Sequence, residues 1–264
     1  MDMTRFYAAE GEKPLDNLVD DGGFCRIFRT IGCIGDSLSS GELESKDDEG
    51  IKGYHDFYEY SWGQYMARTI GNKVYNFSKG GMYAKAFFDQ YAEKYGVYEY
   101  DKLCQCYIIA LGINDLNRKS AIGNMDNISV TQPKDPADES IMSYYAGIVR
   151  NIKSMQPDAK FFFVTTPYDE TRPEDYMKRE DELAEAIRKL ADKTTNAYTI
   201  DLRKYAPTFD KKFKDTFFCG HMTPAGYMIF AKMIMSYIDY IIRSNPEDFA
   251  QVGFIGTPYK YRKD

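Results

Sequence analysis

A serine that could act as a nucleophile stands in the string Gly35-Asp36-Ser37-Leu38-Ser39, directly after an apolar run of strand length. At the carboxyl end of a buried strand, a serine side chain is open to substrate and lies near the free backbone N–H groups that begin a helix. The same residue types also form ordinary turns and helix caps. This string alone therefore leaves both interpretations open.

Two further motifs could supply donors to the negative oxygen that forms when an ester carbonyl is attacked. Gly80 and Gly81 follow the second apolar run, and glycine permits backbone conformations that other residues resist. Asn114 follows the third run, and its side-chain amide is a neutral donor suited to the same oxygen. A simple turn is the alternative interpretation of each motif.

There are only two candidates for a histidine general base, because the chain has only two histidines. His221 lies just before Thr223-Pro224, where a final helix is predicted to begin, whereas His55 lies in a polar stretch and is predicted to be a surface or pocket-rim residue. A serine hydroxyl is a poor nucleophile near neutral pH, and an imidazole within hydrogen-bond reach can take its proton and later pass it to the leaving alcohol. In a hydrolase, we therefore predict His221 as the base.

These motifs need a scaffold, and the hydrophobic pattern provides one. Short apolar runs alternate with amphipathic stretches, which is typical of a parallel sheet covered by helices on both faces. The third and fourth runs are almost continuously apolar and are predicted to be central strands. The predicted strands are residues 30–35, 73–77, 105–111, 160–165 and 197–202, and the predicted helices are residues 60–70, 84–95, 139–155, 174–193 and 223–243.

Other parts of the chain are predicted to surround this sheet. Residues 117–138 lack periodicity and should form a long loop beside the carboxyl end of the third strand, where open α/β sheets bind ligands. Tyr83 and Tyr168 are candidate residues of the pocket wall. The chain is predicted to be one domain, residues 1–264, with extensions at 1–24 and 247–264 packed on it.

Composition excludes several classes of protein. The chain has 34 lysine and arginine residues and 40 aspartate and glutamate residues, which gives a net charge of −6. Because the two signs are interleaved along the chain, neither nucleic acid nor an anionic membrane is an expected partner. The five cysteines are an odd number and indicate reduced packing residues, and the pair Cys104 and Cys106, without histidines nearby, is a poor zinc signature. The N-terminus has no basic head followed by an apolar stretch, which predicts a cytoplasmic protein if the chain is full length. The oligomeric state is not predicted.

The four motifs, in this order between Gly35 and Tyr227, resemble those of the GDSL or SGNH hydrolases. The serine, glycine, asparagine and histidine of that family match Ser37, Gly81, Asn114 and His221, and the spacing from Asn76 favours Gly81 over Gly80.

The resemblance implies a three-layer α/β/α, flavodoxin-like fold with a central parallel sheet of about five strands in the order 2-1-3-4-5. It also implies ester hydrolysis without metal or cofactor through an acyl-enzyme on Ser37. The Ser37 amide, the Gly81 amide and the Asn114 side chain would form the oxyanion hole.

One position departs from the family pattern. The family usually has an aspartate three residues before the histidine to orient the imidazole, and this chain has Phe218 there. Losing the orienting carboxylate costs roughly 10⁴-fold in serine proteases. A backbone carbonyl in the 215–219 loop could hold the ring, Asp215 could reach back to it, or the enzyme could be slow. The carbonyl is preferred because Phe217-Phe218 suggests a partly buried loop.

The predicted function is hydrolysis of carboxylic esters, either small or carbohydrate-linked, such as acetyl esters. A catalytically weak or inactive module that binds a carbohydrate or phosphate ligand is one alternative, although the glycine-rich phosphate fingerprint is absent and Asp36 places an acid there. An acyltransferase, thioesterase or lipase using the same residues is another.

Overall fold

Nine strands and ten α-helices organise the protein in the computed structural model, which describes residues 3–262. The strands are β1 (Thr30–Gly35), β2 (Glu42–Lys46), β3 (Lys52–Asp56), β4 (Lys73–Ser78), β5 (Cys106–Ala110), β6 (Lys160–Val164), β7 (Ala197–Ile200), β8 (Phe218–Cys219) and β9 (His221–Met222). The α-helices are α1 (Ser37–Ser40), α2 (Trp62–Ile70), α3 (Ala84–Ala86), α4 (Ala92–Lys94), α5 (Ile113–Asn117), α6 (Ile141–Met155), α7 (Glu174–Lys193), α8 (Leu202–Tyr205), α9 (Lys211–Phe217) and α10 (Pro224–Ser244).

The central sheet has five parallel strands in the order β4-β1-β5-β6-β7. Numbered among themselves along the chain, these strands follow the order 2-1-3-4-5, which confirms the prediction. β5 and β6 lie inside the sheet, as their continuous apolar character predicts, because interior parallel strands are covered on both faces. The carboxyl ends of all five strands therefore meet at one edge.

Alternate side chains of each strand enter different layers of the core. Cys106 and Ile108 of β5 pack with α2 and α10, whereas Tyr107 and Ile109 pack with α6 and α7. This two-residue alternation is the geometry of a strand whose two faces are both buried. The result is the predicted three-layer arrangement of helices, sheet and helices.

The last helix begins as the sequence indicates. The Thr223 side chain accepts a hydrogen bond from the Gly226 amide, and Pro224 takes the first helical position. α10 has the length and apolar composition of a membrane span, but most of it is buried inside the protein. Packing against the sheet accounts for its apolar character.

Short helices complete the described chain. The predicted helix at 84–95 consists of α3, a π-helix at Phe87–Tyr91, and α4. The 3₁₀ helices are Met3–Phe6, Gly23–Ile27, Tyr58–Tyr60, Tyr100–Lys102, Pro246–Phe249 and Val252–Phe254. The chain from α5 to α6 has no helix or strand, which agrees with the predicted loop.

The segments outside the sheet contact α10 and the core. The Val19 amide donates to Ser236 Oγ (3.0 Å), and the side chains of Phe249, Val252 and Ile255 are buried in the core. Residues 1, 2, 263 and 264 of the predicted extensions lie outside the described residues. Four of the five cysteines are buried free thiols, as predicted, and Cys219 is exposed.

A hairpin of β2 and β3 was not predicted. Its strands pair antiparallel, with Glu42 opposite Asp56 and Glu44 opposite Tyr54. Acidic residues stand at alternate positions of β2, where a half-buried strand would normally carry apolar residues. The hydrophobic pattern therefore gave no strand signal here.

Candidate active site

Ser37 is the first residue of α1 and follows the carboxyl end of β1. The Asp36 carboxylate caps this helix by accepting a hydrogen bond from the Leu38 amide (3.0 Å). The Tyr227 hydroxyl donates to the Ser37 carbonyl (3.2 Å) and to the Glu42 carbonyl (2.8 Å). The serine backbone is thus fixed both to α10 and to the start of the hairpin.

Gly80 and Gly81 form a turn directly after β4, at the same edge of the sheet. The Gly80 amide donates to Asp56 Oδ2 (3.4 Å), which occupies that donor. Gly81 has a φ of +72°, a conformation that strongly favours glycine. The Gly80 amide is thus engaged within the protein, and the role of Gly81 as a donor stays a prediction.

Asn114 lies in the first turn of α5, after β5. Its Nδ2 donates a hydrogen bond to the Met82 carbonyl (2.9 Å), next to the glycine turn. A side-chain NH₂ group has two donors, so one remains after this bond is made. Asn114 therefore holds the glycine turn and can still offer a proton to a ligand.

His221 begins β9, which contacts both α1 and β2. Its imidazole lies between two carboxylates: Nδ1 is hydrogen-bonded to Glu44 Oε1 at 3.0 Å, and Nε2 makes an ion-pair contact with Glu42 Oε1 at 3.1 Å. The Tyr54 ring meets the imidazole edge-on, with centroids 6.1 Å apart. The histidine is thus held on the side of the sheet edge where α1 begins.

One face of the hairpin supplies these contacts. Residues separated by two positions on a strand share a face, and directly opposed residues of antiparallel strands do so as well. Glu42, Glu44, Tyr54 and Asp56 therefore point the same way, toward α1, the glycine turn and His221. Asp56 also accepts a hydrogen bond from the Ser40 hydroxyl.

The pKa values of the two glutamates beside His221 are shifted in opposite directions. Burial raises the pKa of the Glu42 carboxyl; His221 opposes this effect, and the nearby carboxylates of Asp56 and Glu44 add to it. Burial also disfavours ionisation of Glu44, but hydrogen bonds from Lys52 and His221 outweigh it and lower the pKa of Glu44. Glu44 is consequently the stronger acid of the pair.

Two other carboxyl groups are buried at this edge. Burial raises the pKa of Asp36 to about 7, against the hydrogen bond from Leu38. Burial likewise raises the pKa of Asp115 to about 6, although the Ala84 amide donates to both of its oxygens. These two carboxyl groups therefore gain or lose a proton near neutral pH.

The structure brings the four predicted motifs to one edge of the sheet but does not support either predicted partner for the imidazole. Asp215 is exposed and pairs with Lys211 (2.5 Å), and Nδ1 is bonded to a glutamate rather than to a carbonyl of the 215–219 loop. Phe218 packs instead among aromatic side chains. His55 is exposed, as predicted, on the other face of the hairpin, where Nε2 lies 2.9 Å from Ser45 Oγ.

Sequence reasoning missed Glu42, Glu44 and Asp56. The available signal was the pair of glutamates separated by one residue, shortly after Ser37. The two tyrosines proposed for the pocket wall stay predictions: the Arg118 guanidinium lies over the Tyr83 ring at 4.2 Å, and the Arg203 guanidinium over the Tyr168 ring at 4.7 Å. Within residues 3–262, no group of three or more His, Cys, Asp or Glu side chains is arranged to bind a metal ion.

The central parallel sheet with flanking helices and its strand order are those of the SGNH hydrolase fold. The chain belongs to the GDSL-like lipase/acylhydrolase family, which matches residues 33–229. A search of curated protein sequences gives no match.

Solved structures share this fold at low sequence identity. A family two carbohydrate esterase from Clostridium thermocellum, in complex with cellohexaose, has a TM-score of 0.58 at 14% identity, covering 88% of this chain and 66% of that one. A family two carbohydrate esterase with a carbohydrate binding domain, from Corynascus thermopiles (Myceliophthora fergusii), has a TM-score of 0.55 at 17% identity, covering 80% and 65%. A possible lipase from Chitinophaga pinensis has a TM-score of 0.57 at 13% identity, covering 81% and 99%. This chain thus spans about two thirds of each esterase, and the likeness shows the fold alone.

Proposed function

We propose that this protein is a serine hydrolase that cleaves carboxylic esters through an acyl-enzyme on Ser37, with His221 as general base. The observation that carries the proposal is the imidazole of His221 on β9, which two carboxylates of β2 hold while the backbone of β9 lies beside the helix that begins at Ser37. The proposal treats the chain as one domain that needs no metal or cofactor.

The reaction follows from the roles of these groups. His221 Nε2 takes the proton of the Ser37 hydroxyl as its oxygen attacks the acyl carbon, and the imidazolium then gives that proton to the leaving alcohol. In the second step the imidazole takes a proton from a water molecule whose oxygen attacks the acyl carbon, and it returns that proton to the Ser37 oxygen as the bond to the acyl group breaks and the acid leaves. For Nε2 to serve the serine, its contact with Glu42 must give way.

The oxyanion that forms in both steps needs preorganised donors. The Ser37 and Gly81 amides and the second Nδ2 proton of Asn114 are proposed to provide them, since the Gly80 amide is directed at Asp56. Loss of one such donor costs roughly 10²–10³ in turnover.

Acetyl or similarly small esters are the substrates that we propose. The cavity next to the turn between β1 and α1 is small, about 30 Å³, and is lined by Asp36 and Leu38, the sequence neighbours of Ser37. Ser37 and His221 do not line this cavity, so the acyl length is tested directly with esters of increasing chain length.

The rim of the site favours an alcohol with a flat apolar face, such as a sugar ring. Tyr54 is an exposed large aromatic side chain of the hairpin, and its ring reaches His221. Exposed aromatic rings provide rigid surfaces for stacking. The carbohydrate esterases with the same fold agree with a carbohydrate-linked substrate.

The test is hydrolysis of p-nitrophenyl acetate, butyrate and octanoate by the native protein, Ser37→Ala and the surface control Ser154→Ala. We expect turnover to fall with acyl length, to vanish in Ser37→Ala and to persist in Ser154→Ala. An organophosphonate should label the native protein at Ser37, with the adduct located by mass spectrometry. A folded protein that hydrolyses none of these esters and takes no label would contradict the proposal and favour a binding module.

A further inference from the structure

The position that usually carries the orienting carboxylate in this family is part of an aromatic cluster here. The Phe218 ring lies 5.8 Å from Phe209 and 6.3 Å from Phe213 between centroids, and Lys214 Nζ lies 4.0 Å above it. The proposed base must therefore obtain its orientation from another part of the chain.

Glu44 contacts the correct nitrogen. A neutral histidine that donates a proton from Nδ1 presents a lone pair at Nε2, and the group bonded to Nδ1 selects that tautomer. Glu44 Oε1 is hydrogen-bonded to Nδ1 at 3.0 Å, and Lys52 Nζ holds the other carboxylate oxygen at 3.1 Å. The Glu44 side chain is 13% exposed, so solvent competes little for these bonds.

The packing around Glu44 fixes the carboxylate in place. Gly220 immediately precedes the histidine, and a Cβ atom at that position would overlap the Glu44 carboxyl group. Tyr54, opposite Glu44 in the hairpin, contacts the same imidazole. Both strands of the hairpin and the turn before β9 thus converge on the bond between Glu44 and His221.

Glu42 is a poor candidate for the same role. Its carboxylate meets Nε2, which is the nitrogen that must accept the serine proton, and the approach is an ion-pair contact at 3.1 Å. Its other oxygen lies against Gly80. A carboxylate at Nε2 competes with the serine, whereas a carboxylate at Nδ1 assists it.

We infer that Glu44 is the positioning residue of His221, the carboxylate that fixes the Nδ1–H tautomer and stabilises the imidazolium formed during ester cleavage. This inference rests on the proposed function of His221 as general base. Ser37, His221 and Glu44 then form a triad whose acid comes from the hairpin after the nucleophile. The lowered pKa of Glu44, set by burial against the bonds from Lys52 and His221, keeps this carboxylate ionised.

The decisive variant is Glu44→Gln, which preserves size but removes the charge. We expect kcat for p-nitrophenyl acetate to fall roughly 10²- to 10⁴-fold, with KM changed less than about threefold. The acid limb of kcat/KM should also move to lower pH, because an imidazole without its carboxylate loses its proton more readily. Glu44→Asp, which keeps the charge, should recover the position of this limb and part of kcat.

The pH profile must also be separated from the titration of other groups around the imidazole and its two glutamates. Glu42, Tyr54 and Cys219 adjoin the imidazole, and Lys52, Asp56, Asp36 and Tyr227 surround the glutamates.

Two variants of the same hairpin provide matched controls. Glu49→Gln removes an equal charge at an exposed position and should leave kcat and the pH profile unchanged. Glu42→Gln removes the carboxylate at Nε2 and should cost at least tenfold less kcat than Glu44→Gln.

A direct readout does not depend on turnover. The Nδ1 proton bonded to Glu44 should give a low-field proton NMR resonance that persists in Ser37→Ala and disappears in Glu44→Gln. If the native protein has no serine-dependent activity but this resonance behaves as stated, the proposed function fails while the contact between Glu44 and His221 stands.

The inference is overturned if folded Glu44→Gln keeps kcat within threefold of the native value with an unshifted acid limb. It is also overturned if Glu42→Gln loses more kcat than Glu44→Gln. Should Glu44→Gln not fold, Glu44→Asp carries the test, and native kcat together with loss of the low-field resonance in that variant contradicts the inference.

Discussion

The residues of the candidate site lie at the ends of strands, and close packing limits the space around them. The placement of Ser37, Gly81, Asn114 and His221 at one edge could be predicted from sequence because each follows a strand or precedes the last helix, and parallel strands bring those ends together. Glu44 could not be found in the same way. Its partner is distant in the chain, and its strand has no apolar alternation that would reveal which side chains point inward.

Gly220 provides a test of the space reserved for Glu44. We expect Gly220→Ala to reduce kcat for p-nitrophenyl acetate by tenfold or more, because a methyl group would displace the carboxylate and the φ of +76° disfavours alanine. No ionisable group changes in this variant. Gly50→Ala, at an open position with a similar φ of +82°, is the matched control for backbone strain and should retain kcat. Equal losses in the two variants would refute the steric explanation.

At the scale of elements, the apolar runs predicted the central sheet well because its three inner strands are buried on both faces. The boundaries of the helices shifted by a few residues, as for α6, which begins at Ile141 after a Ser140 cap. The hairpin was missed because its inward face is acidic. A strand whose inward side chains form a polar site does not show the alternating hydrophobic pattern of a strand that packs against a core.

The turn between β1 and α1 should make stability depend on pH. The pKa of Asp36 is about 7 in the folded protein because burial disfavours its charge, against a usual value of 3.8. Between these values the unfolded chain releases the proton first, so the free energy of unfolding falls as pH rises and levels off above about 7. Between pH 5 and pH 8 we expect the free energy of unfolding of Asp36→Asn, which still caps α1, to fall by about 3 kcal/mol less than that of the native protein.

Urea unfolding at the two pH values measures this difference. Asp126→Asn, in an exposed loop, is the control and should follow the native pH dependence. An Asp36→Asn variant that loses as much stability as the native protein over this range would show that Asp36 is already ionised at pH 5.

At the scale of the whole molecule, α10 connects the site to the segments before β1. Its first turn follows His221, and its last turn carries Arg243, about 30 Å away at 1.5 Å per residue. Arg243 pairs with Glu12 and with Asp239, and all three side chains are less than 10% exposed. The hydrogen bond from Arg243 is the main reason that the pKa of Glu12 falls to about 2.

Arg243→Met should destabilise the fold without changing the chemistry. Two buried carboxylates would lose their partner, which typically costs about 3–5 kcal/mol at neutral pH. The deficit should shrink as pH falls from 4.5 toward 2, because Glu12 then loses its own contribution to native stability. Urea unfolding measures the first effect, and kcat below the unfolding transition should stay close to native. Arg262→Met, near the C-terminus, is a control expected to change neither quantity.

The hairpin directly after α1 has a consequence for sequence comparison. Ser37, Glu42 and Glu44 lie within one short stretch of chain, so a search that demands an aspartate shortly before the histidine would discard this protein as inactive. A search pattern that combines the serine motif with two glutamates separated by one residue would retain this protein and find other chains with the same arrangement.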